Sequence, residues 1–460
     1  MSFQAIVIGT GVDALVAAHL LARRGNQVLV VEERSPARQD FGWVPAQLIG
    51  ELGLELKAGA PDPWATALLP DGAKLELWRD IGRSAGSIRR HSEHDARAWP
   101  DFCRRMAALA RLFEQIYLDA PTDPLNLRFA LGVRGLGREG MVDLMRLLPM
   151  PVAELLDDWF ECDALKGALA AMGILDIQQG PRSGGTAFRF LHHHVGSPEG
   201  VFRPPRTDLS TRLRQAARPG LHFKAAETKK ILTKAGRARG VLLGDGEEIE
   251  APIVISGADP RRTLLELADP GWLDPELARA VGNVRARGVA ARLWFEGFSF
   301  EGPANGNLVF APSLDYLERA YDEVKYGRVS REPYLEAHSS PRGLEVHFQY
   351  VPQGTKEDFG DSADLAATAR RLLPGLENSK LVSILGPADL EREEGWPQGQ
   401  PHHAELALDQ ALWMRPLPEL SQYKTPIEGL WLCGPAMHPG GGVAGATGYN
   451  CAHAILKERN

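Results

Sequence analysis

Cysteine is scarce, with four residues (Cys103, Cys162, Cys433 and Cys451) and no CxxC pair. This excludes a disulfide framework and a thiolate zinc centre, and it fits a reducing compartment such as the cytoplasm. Basic charge is short as well: 52 Lys and Arg stand against 59 Asp and Glu, a net charge of −7. Nucleic-acid binders show a basic excess or stripe, so no nucleic-acid partner is expected. No apolar run approaches the roughly 18 residues that span a bilayer. Peripheral contact with a membrane needs only a local patch and stays open. No basic stretch or cleavage-site pattern precedes the first apolar run, so no secretory leader is expected. Internal repeats and low-complexity tracts are absent too.

The remaining composition is that of a globular protein, 44% hydrophobic and 24% charged. At 460 residues the chain is too long for one core, and two or three domains are expected. Glycine, unlike cysteine, is plentiful, and it gathers near the two ends.

The first gathering lies in AIVIGTGVDALVAAHLLARRGNQVLVVEE. Ala5 to Ile8 suits a buried parallel strand. Gly9, Gly11 and Ala14 form G-x-G-x-x-A. Leu15, Ala18, Leu21 and Ala22 follow at helical spacing, and Val28 to Val31 is a second strand ending at Glu32. This is a βαβ unit with a dinucleotide fingerprint: Gly9 for the tight turn, Gly11 for close approach of a pyrophosphate, Ala14 for helix–strand packing. An acid at Glu32 can accept hydrogen bonds from a ribose and disfavours a 2′-phosphate, so FAD or NAD is expected over NADP. Asp13 sits inside the turn. It can favour the helix dipole, or it can repel a pyrophosphate.

The second gathering is GLWLCGPAMHPGGGVAGATGYN, residues Gly429 to Asn450. A short apolar strand leads into a loop nearly bare of side chains and then into a helix pattern. Such a loop lets backbone N–H groups approach an anionic cofactor.

Between them, residues 95 to 175 are mainly helical. Phe102, Met106, Leu109, Leu112 and Phe113 make one apolar face, and Leu155, Leu156, Trp159 and Phe160 another. Strands return at Leu221 to Phe223, Thr228 to Leu232, Gly240 to Leu243 and Ile249 to Ile255. Val289 to Phe295 and Leu344 to Val351 alternate like strands of an antiparallel sheet. The expected fold is α/β: a split Rossmann-type FAD-binding domain (1–80, 205–265 and 419–460) plus an α+β substrate domain (81–204 and 266–418).

The motifs resemble those of phytoene dehydrogenase-like FAD-dependent oxidoreductases, relatives of carotenoid desaturases and of the wider amine-oxidase flavoproteins. Besides the two terminal blocks, the matching stretches include GTAFRFLHHHVG, GVLLGDGEEIEAPIVISGADP and HHAELALDQ. The resemblance implies FAD in an extended form. It implies that Gly9, Gly11, Ala14 and Glu32, with the adjoining Glu33, serve the ADP half, and that the strand at Thr228 meets the adenine. Gly434, Pro439, Gly440, Gly441, Gly442 and Val443 would follow the ribityl chain and flavin. It implies a desaturase, saturase or isomerase moving hydride between flavin and a hydrophobic, isoprenoid-like substrate. The sequence departs from the family pattern in three places, one of them a shortened segment after His338. No GG pair follows Glu33, and Pro204 and Pro205 stand where a glycine-rich loop is usual. A flavin-free binding or scaffold protein is the alternative these departures suggest. The first βαβ unit alone would also permit an NAD-dependent dehydrogenase.

His438, inside the glycine loop, is the candidate catalytic residue. His192, His193 and His194 are adjacent, so they cannot all face one ion, and no metal is expected. Glu405 and Asp409 are spaced to share a helix face. Arg182, Arg203 and Arg206 form a basic neighbourhood that could meet a carboxylate substrate.

Overall fold

The β-branched runs assemble into a wholly parallel five-stranded sheet. Its order is β17 (Leu430–Leu432), β11 (Ile253–Ser256), β1 (Ala5–Ile8), β2 (Val28–Glu32) and β7 (Leu221–Ala225). Ile6 lies between Val254 and Leu29 in register, and every residue of β1, β11 and β17 is buried, as parallel strands covered on both faces require. The structure, a computed structural model, describes residues 2–34, 40–56, 61–121, 132–216, 218–299, 306–340, 343–353 and 362–459.

Gly9 leaves β1 with φ +97°, a conformation that a side chain would strain, and the chain enters the helix Val12–Arg23. The C-terminal helix Ala446–Arg459 lies directly on that helix. At their contact a Cβ on Gly448 would stand 1.8 Å from the carbonyl oxygen of Asp13, so only glycine allows the approach. The two glycine-rich blocks, more than 400 residues apart, thus meet as one layer.

A three-stranded antiparallel meander, β8 (Thr228–Lys234), β9 (Arg237–Leu243) and β10 (Glu248–Glu250), packs beside this sheet. The run Ile249 to Ile255, expected as one strand, is two. Pro252 has no N–H to donate, and the ladder breaks between β10 and β11.

The second sheet has seven strands, mostly antiparallel. Its order is β16 (Lys380–Leu385), β12 (Ala290–Glu296), β15 (Gly343–Gln349), β14 (Leu335–Ser340), β13 (Asn307–Phe310), β4 (Ala65–Leu68) and β5 (Lys74–Leu77). β4 and β5 fall within residues 1–80 yet hydrogen-bond here, not to the parallel sheet. Helices Glu93–Tyr117, Asp163–Ile174 and Thr186–His194 share this sheet's apolar core, where Phe102 meets Phe160 at 4.9 Å and Phe190 stacks on Phe202 at 5.1 Å. A separate apolar cluster surrounds the parallel sheet. Between the two, β3 (Asp40–Trp43) is flanked by β18 (Gly442–Val443) and β6 (Arg206–Thr207) in a small third sheet.

Candidate cofactor and substrate cavity

A cavity of about 270 Å³ opens at the carboxyl ends of β1, β11 and β17. That is where open α/β sheets hold ligands. Gly9, Gly11 and Ala14 line one end, and Gly257, Ala258, Gly434 and Pro435 line the floor. Gly441, Gly442, Val443 and Ala444 form a wall, and Arg206, Arg292, Glu336 and His347 close the far end. Of the sequence-predicted site residues, Gly9, Gly11, Ala14, Glu33, Gly434, Gly441, Gly442 and Val443 line this space. Glu32, Thr228, Pro439, Gly440 and His438 do not.

At the glycine turn, a Cβ on Gly9 or Gly11 would meet no atom within 4 Å, so both face open space at a helix N-terminus. The acid beside it is Glu33. Arg262 pairs with it at 2.8 Å, and its Oε1 accepts the Thr228 N–H at 2.9 Å. Glu32 instead takes both guanidinium edges of Arg214, from Nε and, at 2.9 Å, from Nη2. Glu32 ends β2 and Glu33 lies just past it, so the two adjacent carboxylates take different partners. Thr228 contributes its N–H to Glu33 and is buried.

Asp13 is buried beside the turn, and burial pushes its carboxyl up to about 7 despite opposing hydrogen bonds from Thr447, Gly448 and Gly445. Its Oδ1 has no partner. Asp40, also on the cavity, is pushed up to about 6 by burial although it accepts the Ser210 N–H at 2.7 Å. Near and below neutrality the turn therefore carries a largely protonated Asp13, and its repulsion of a pyrophosphate is muted.

His438 turns away from the cavity. Its Nε2 points to the Ile116 carbonyl at 3.4 Å, its ring sits edge-on to Tyr117, and burial pulls it down to about 4. That is a correction to its expected catalytic place: the loop folds so that its glycines, not its histidine, face the space. His192 comes closer. Its Nε2 donates to the Gly441 carbonyl at 2.8 Å, its Nδ1 accepts from Tyr117 Oη at 2.7 Å, and burial pulls it down to about 3, so it is a neutral strut for the loop. His193 and His194 each donate to a backbone carbonyl, of Met172 and Val201. The expected helix at 401–410 is also absent. The segment is turns and a single 3₁₀ turn at Leu408–Gln410, and Glu405 and Asp409 are joined through Arg285 instead.

Arg415 carries this segment and gave no sequence signal. Wholly buried, its guanidinium donates to six carbonyls, those of His402, Ala404, Glu405, Gln410, Pro435 and Met437, at 2.7 to 3.2 Å. It ties the 402–410 turns to the C-terminal motif and holds His402 against Gly441, where a Cβ would stand 1.7 Å from His402 Nδ1.

The far end is made by one face of the seven-stranded sheet. Glu336 and His338 on β14, Glu345 and His347 on β15 and Arg292 on β12 are neighbours across the ladder, while Leu335, Ala337, Leu344, Val346 and Phe348 alternate onto the core side. Arg203 pairs with Glu336, and Tyr334 Oη donates to it as well. Burial pushes Glu336 up, but Arg203, His347, Tyr334 and Arg206 together pull it down to about 2. Arg292 Nη1 donates to Glu345 at 2.5 Å. Arg182 is elsewhere, on the surface with Asp315. The basic neighbourhood is thus Arg203 and Arg206 with Arg292.

No family model matches the chain. It is similar over 99% of its length to pyridine nucleotide-disulfide oxidoreductase domain-containing protein 2 of Rattus norvegicus, at 28% identity and 94% of that relative. It is 22% identical to the neurosporene-forming phytoene desaturase of Rhodobacter capsulatus, over 97% of this chain and 92% of the relative. The chain is similar to phytoene dehydrogenase-like oxidoreductases, and FAD is the cofactor that this similarity supports. Among solved structures an oxidoreductase from Methanosarcina mazei shares the fold, with a TM-score of 0.60 at 14% identity over 98% of this chain and 99% of that one.

The residues that line this cavity suit FAD. The open glycine turn and the side-chain-poor stretch Gly441 to Val443 line one space, with Glu33 beside the turn. The missing GG pair is partly accounted for by β3. Its Gly42 N–H donates to the Pro205 carbonyl at 3.0 Å, so β3 and the proline segment hold each other in place. The neighbouring residues 35–39 lie outside the described ones. Among the described residues no helix is long and apolar enough to cross a membrane.

Proposed function

We propose that this chain moves hydride between a substrate carbon and FAD in the cavity at the ends of β1, β11 and β17, as a desaturase, saturase or isomerase. The continuity of that cavity, from the Gly9–Gly11 turn to Arg206 and Arg292, carries the reading. FAD, when bound, supplies the redox chemistry. Gly9 and Gly11 give the diphosphate backbone N–H groups and the positive end of a helix. Glu33 accepts from the ribose, and Gly434, Gly441, Gly442 and Val443 border the flavin. The nucleotide-binding part is 1–80, 205–265 and 419–460, less the β4–β5 hairpin, and the remainder builds the substrate part. Phe41, Leu175 and Trp396 shield the reacting end from water and suit a substrate with an apolar body, and one relative is a phytoene desaturase.

The test is direct. The purified protein is gel-filtered after incubation with FAD and its visible spectrum recorded. A retained flavin spectrum, bleached anaerobically by a reductant, supports the reading. A colourless protein that ignores FAD sinks it and raises the flavin-free alternative, and NADH binding without flavin raises the NAD-dependent one.

A further inference from the structure

Among the described residues Arg206 is the one cavity-lining arginine at the substrate end without a carboxylate of its own. The other arginines there are paired, Arg203 with Glu336 and Arg292 with Glu345. Glu336 and Glu345 feel Arg206 as well, but each is held by another arginine. Among the described residues Arg206 makes no ion pair. Its hydrogen bond is from Nη2 to His338 Nδ1 at 3.2 Å, and its guanidinium lies 5.5 Å from the Phe41 ring. The rest of its fork is unengaged while it lines the cavity. β6 fixes this placement, since Arg206 is paired in register with Phe41 of β3, one strand away from Gly442 and Val443. A half-buried guanidinium in a cavity wall without a counter-ion is costly. A planar anion that accepts from two of its N–H groups removes that cost.

Resting on the proposed redox reading, we propose that the substrate carries a carboxylate, bound by Arg206 at the end of the cavity opposite the Gly9–Gly11 turn. One unengaged guanidinium suits one negative charge. A phosphate dianion would need a second free cation, and Arg203 and Arg292 are already neutralised. Phe41 and Trp396 line the way from Arg206, so the group next to the carboxylate is apolar. The substrate is therefore an acid with a hydrocarbon portion rather than a hydrocarbon.

The experiment is calorimetric titration of the FAD-incubated protein with octanoate, octanol, octylamine and inorganic phosphate, the flavin spectrum being recorded on the same sample. Octanoate is expected to bind about tenfold or more tighter than octanol, as a charge-assisted pair gives. Arg206→Gln should bring that ratio near one, and Arg206→Lys should keep most of it, with the octanol affinity of both variants unchanged. The wild-type ratio stands by itself if Arg206→Gln does not fold. Equal binding of octanoate and octanol, preference for octylamine or phosphate, or a ratio unaltered in a folded Arg206→Gln each overturns the proposal. A flavin-bearing protein without the carboxylate preference refutes this inference alone. A flavin-free protein that keeps it refutes the redox reading alone.

Discussion

Replacing Asp13 by Asn asks whether the carboxyl in the glycine turn is protonated in the folded protein. Burial pushes it up to about 7 from an ordinary 3.8. The folded state therefore holds a proton that the unfolded chain releases at about pH 4. Between those values folding takes up a proton, so this group's contribution favours folding less and less as pH rises, and it levels off above about 7. At 1.36 kcal/mol per pH unit, the change between pH 5 and pH 8 is roughly 3 kcal/mol. Asn cannot ionise, and its amide oxygen can still accept from the Gly445 and Gly448 N–H groups. Urea unfolding of both proteins at pH 5 and pH 8 measures the difference. The stability gap should move by roughly 3 kcal/mol in favour of Asp13→Asn at the higher pH. Asp40, pushed up to about 6, titrates in both proteins, so most of its contribution cancels, less its repulsion of Asp13. FAD affinity should follow, falling in the wild type as pH rises through about 7 and staying level in the variant, because only the wild type places a new charge beside the diphosphate. Stability curves that run parallel from pH 5 to pH 8 would refute the protonated turn.

Gly441→Ala puts a methyl group into His402 and should lower FAD occupancy several-fold, with His402→Gly in the same chain restoring it; absorbance per protein after gel filtration decides, and equal occupancy in all three proteins would count against this wall as the flavin border. Arg415→Met takes the guanidinium from six carbonyls, of which the Glu405 carbonyl keeps Gln410, and should cost at least about 3 kcal/mol in urea unfolding, while a loss below about 1 kcal/mol would contradict the clamp. Glu33→Gln should weaken FAD binding about tenfold in a fluorescence titration and Glu32→Gln much less, since Glu32 is occupied by Arg214; the reverse order would restore the spacing rule. His438→Gln should leave turnover within about twofold, because the residue borders the core and not the cavity.

The parts that the sequence made legible are those with local signals. The βαβ unit announces itself because Gly9 must take a positive φ and β1 must be apolar on both faces, and neither fact depends on distant residues. The C-terminal motif is legible for a similar reason: Gly448 is demanded by a backbone 1.8 Å from its missing Cβ. What failed turned on direction. Glu32 and Glu33 are adjacent, and only the end of β2 and the position of Arg214 decide which of them lines the cavity. His438 lies in the right loop on the wrong side of it. Arg415 has no pattern to read, because its six acceptors come from two separated segments that meet only in the fold.

The charged face of the seven-stranded sheet was hidden in another way. In LEAHSS and GLEVHFQ, charge alternates with apolar residues as it does on any strand with one side in water. Here that side is indoors. Glu336, His338 and His347 are nearly as inaccessible as the Leu and Val between them. Ions so placed bring several kcal/mol of desolvation each, and well-packed apolar residues would serve stability at least as well. A hydrocarbon substrate would gain nothing from such a wall. The face makes physical sense if it is a lattice of cancelled charges that keeps one guanidinium, Arg206, rigid and available where the cavity ends. On that view the two prolines ahead of Arg206 are part of the device. They fix the backbone that leads into β6, and a glycine loop in their place would leave the guanidinium free to swing toward Glu336 or Glu345 and be neutralised.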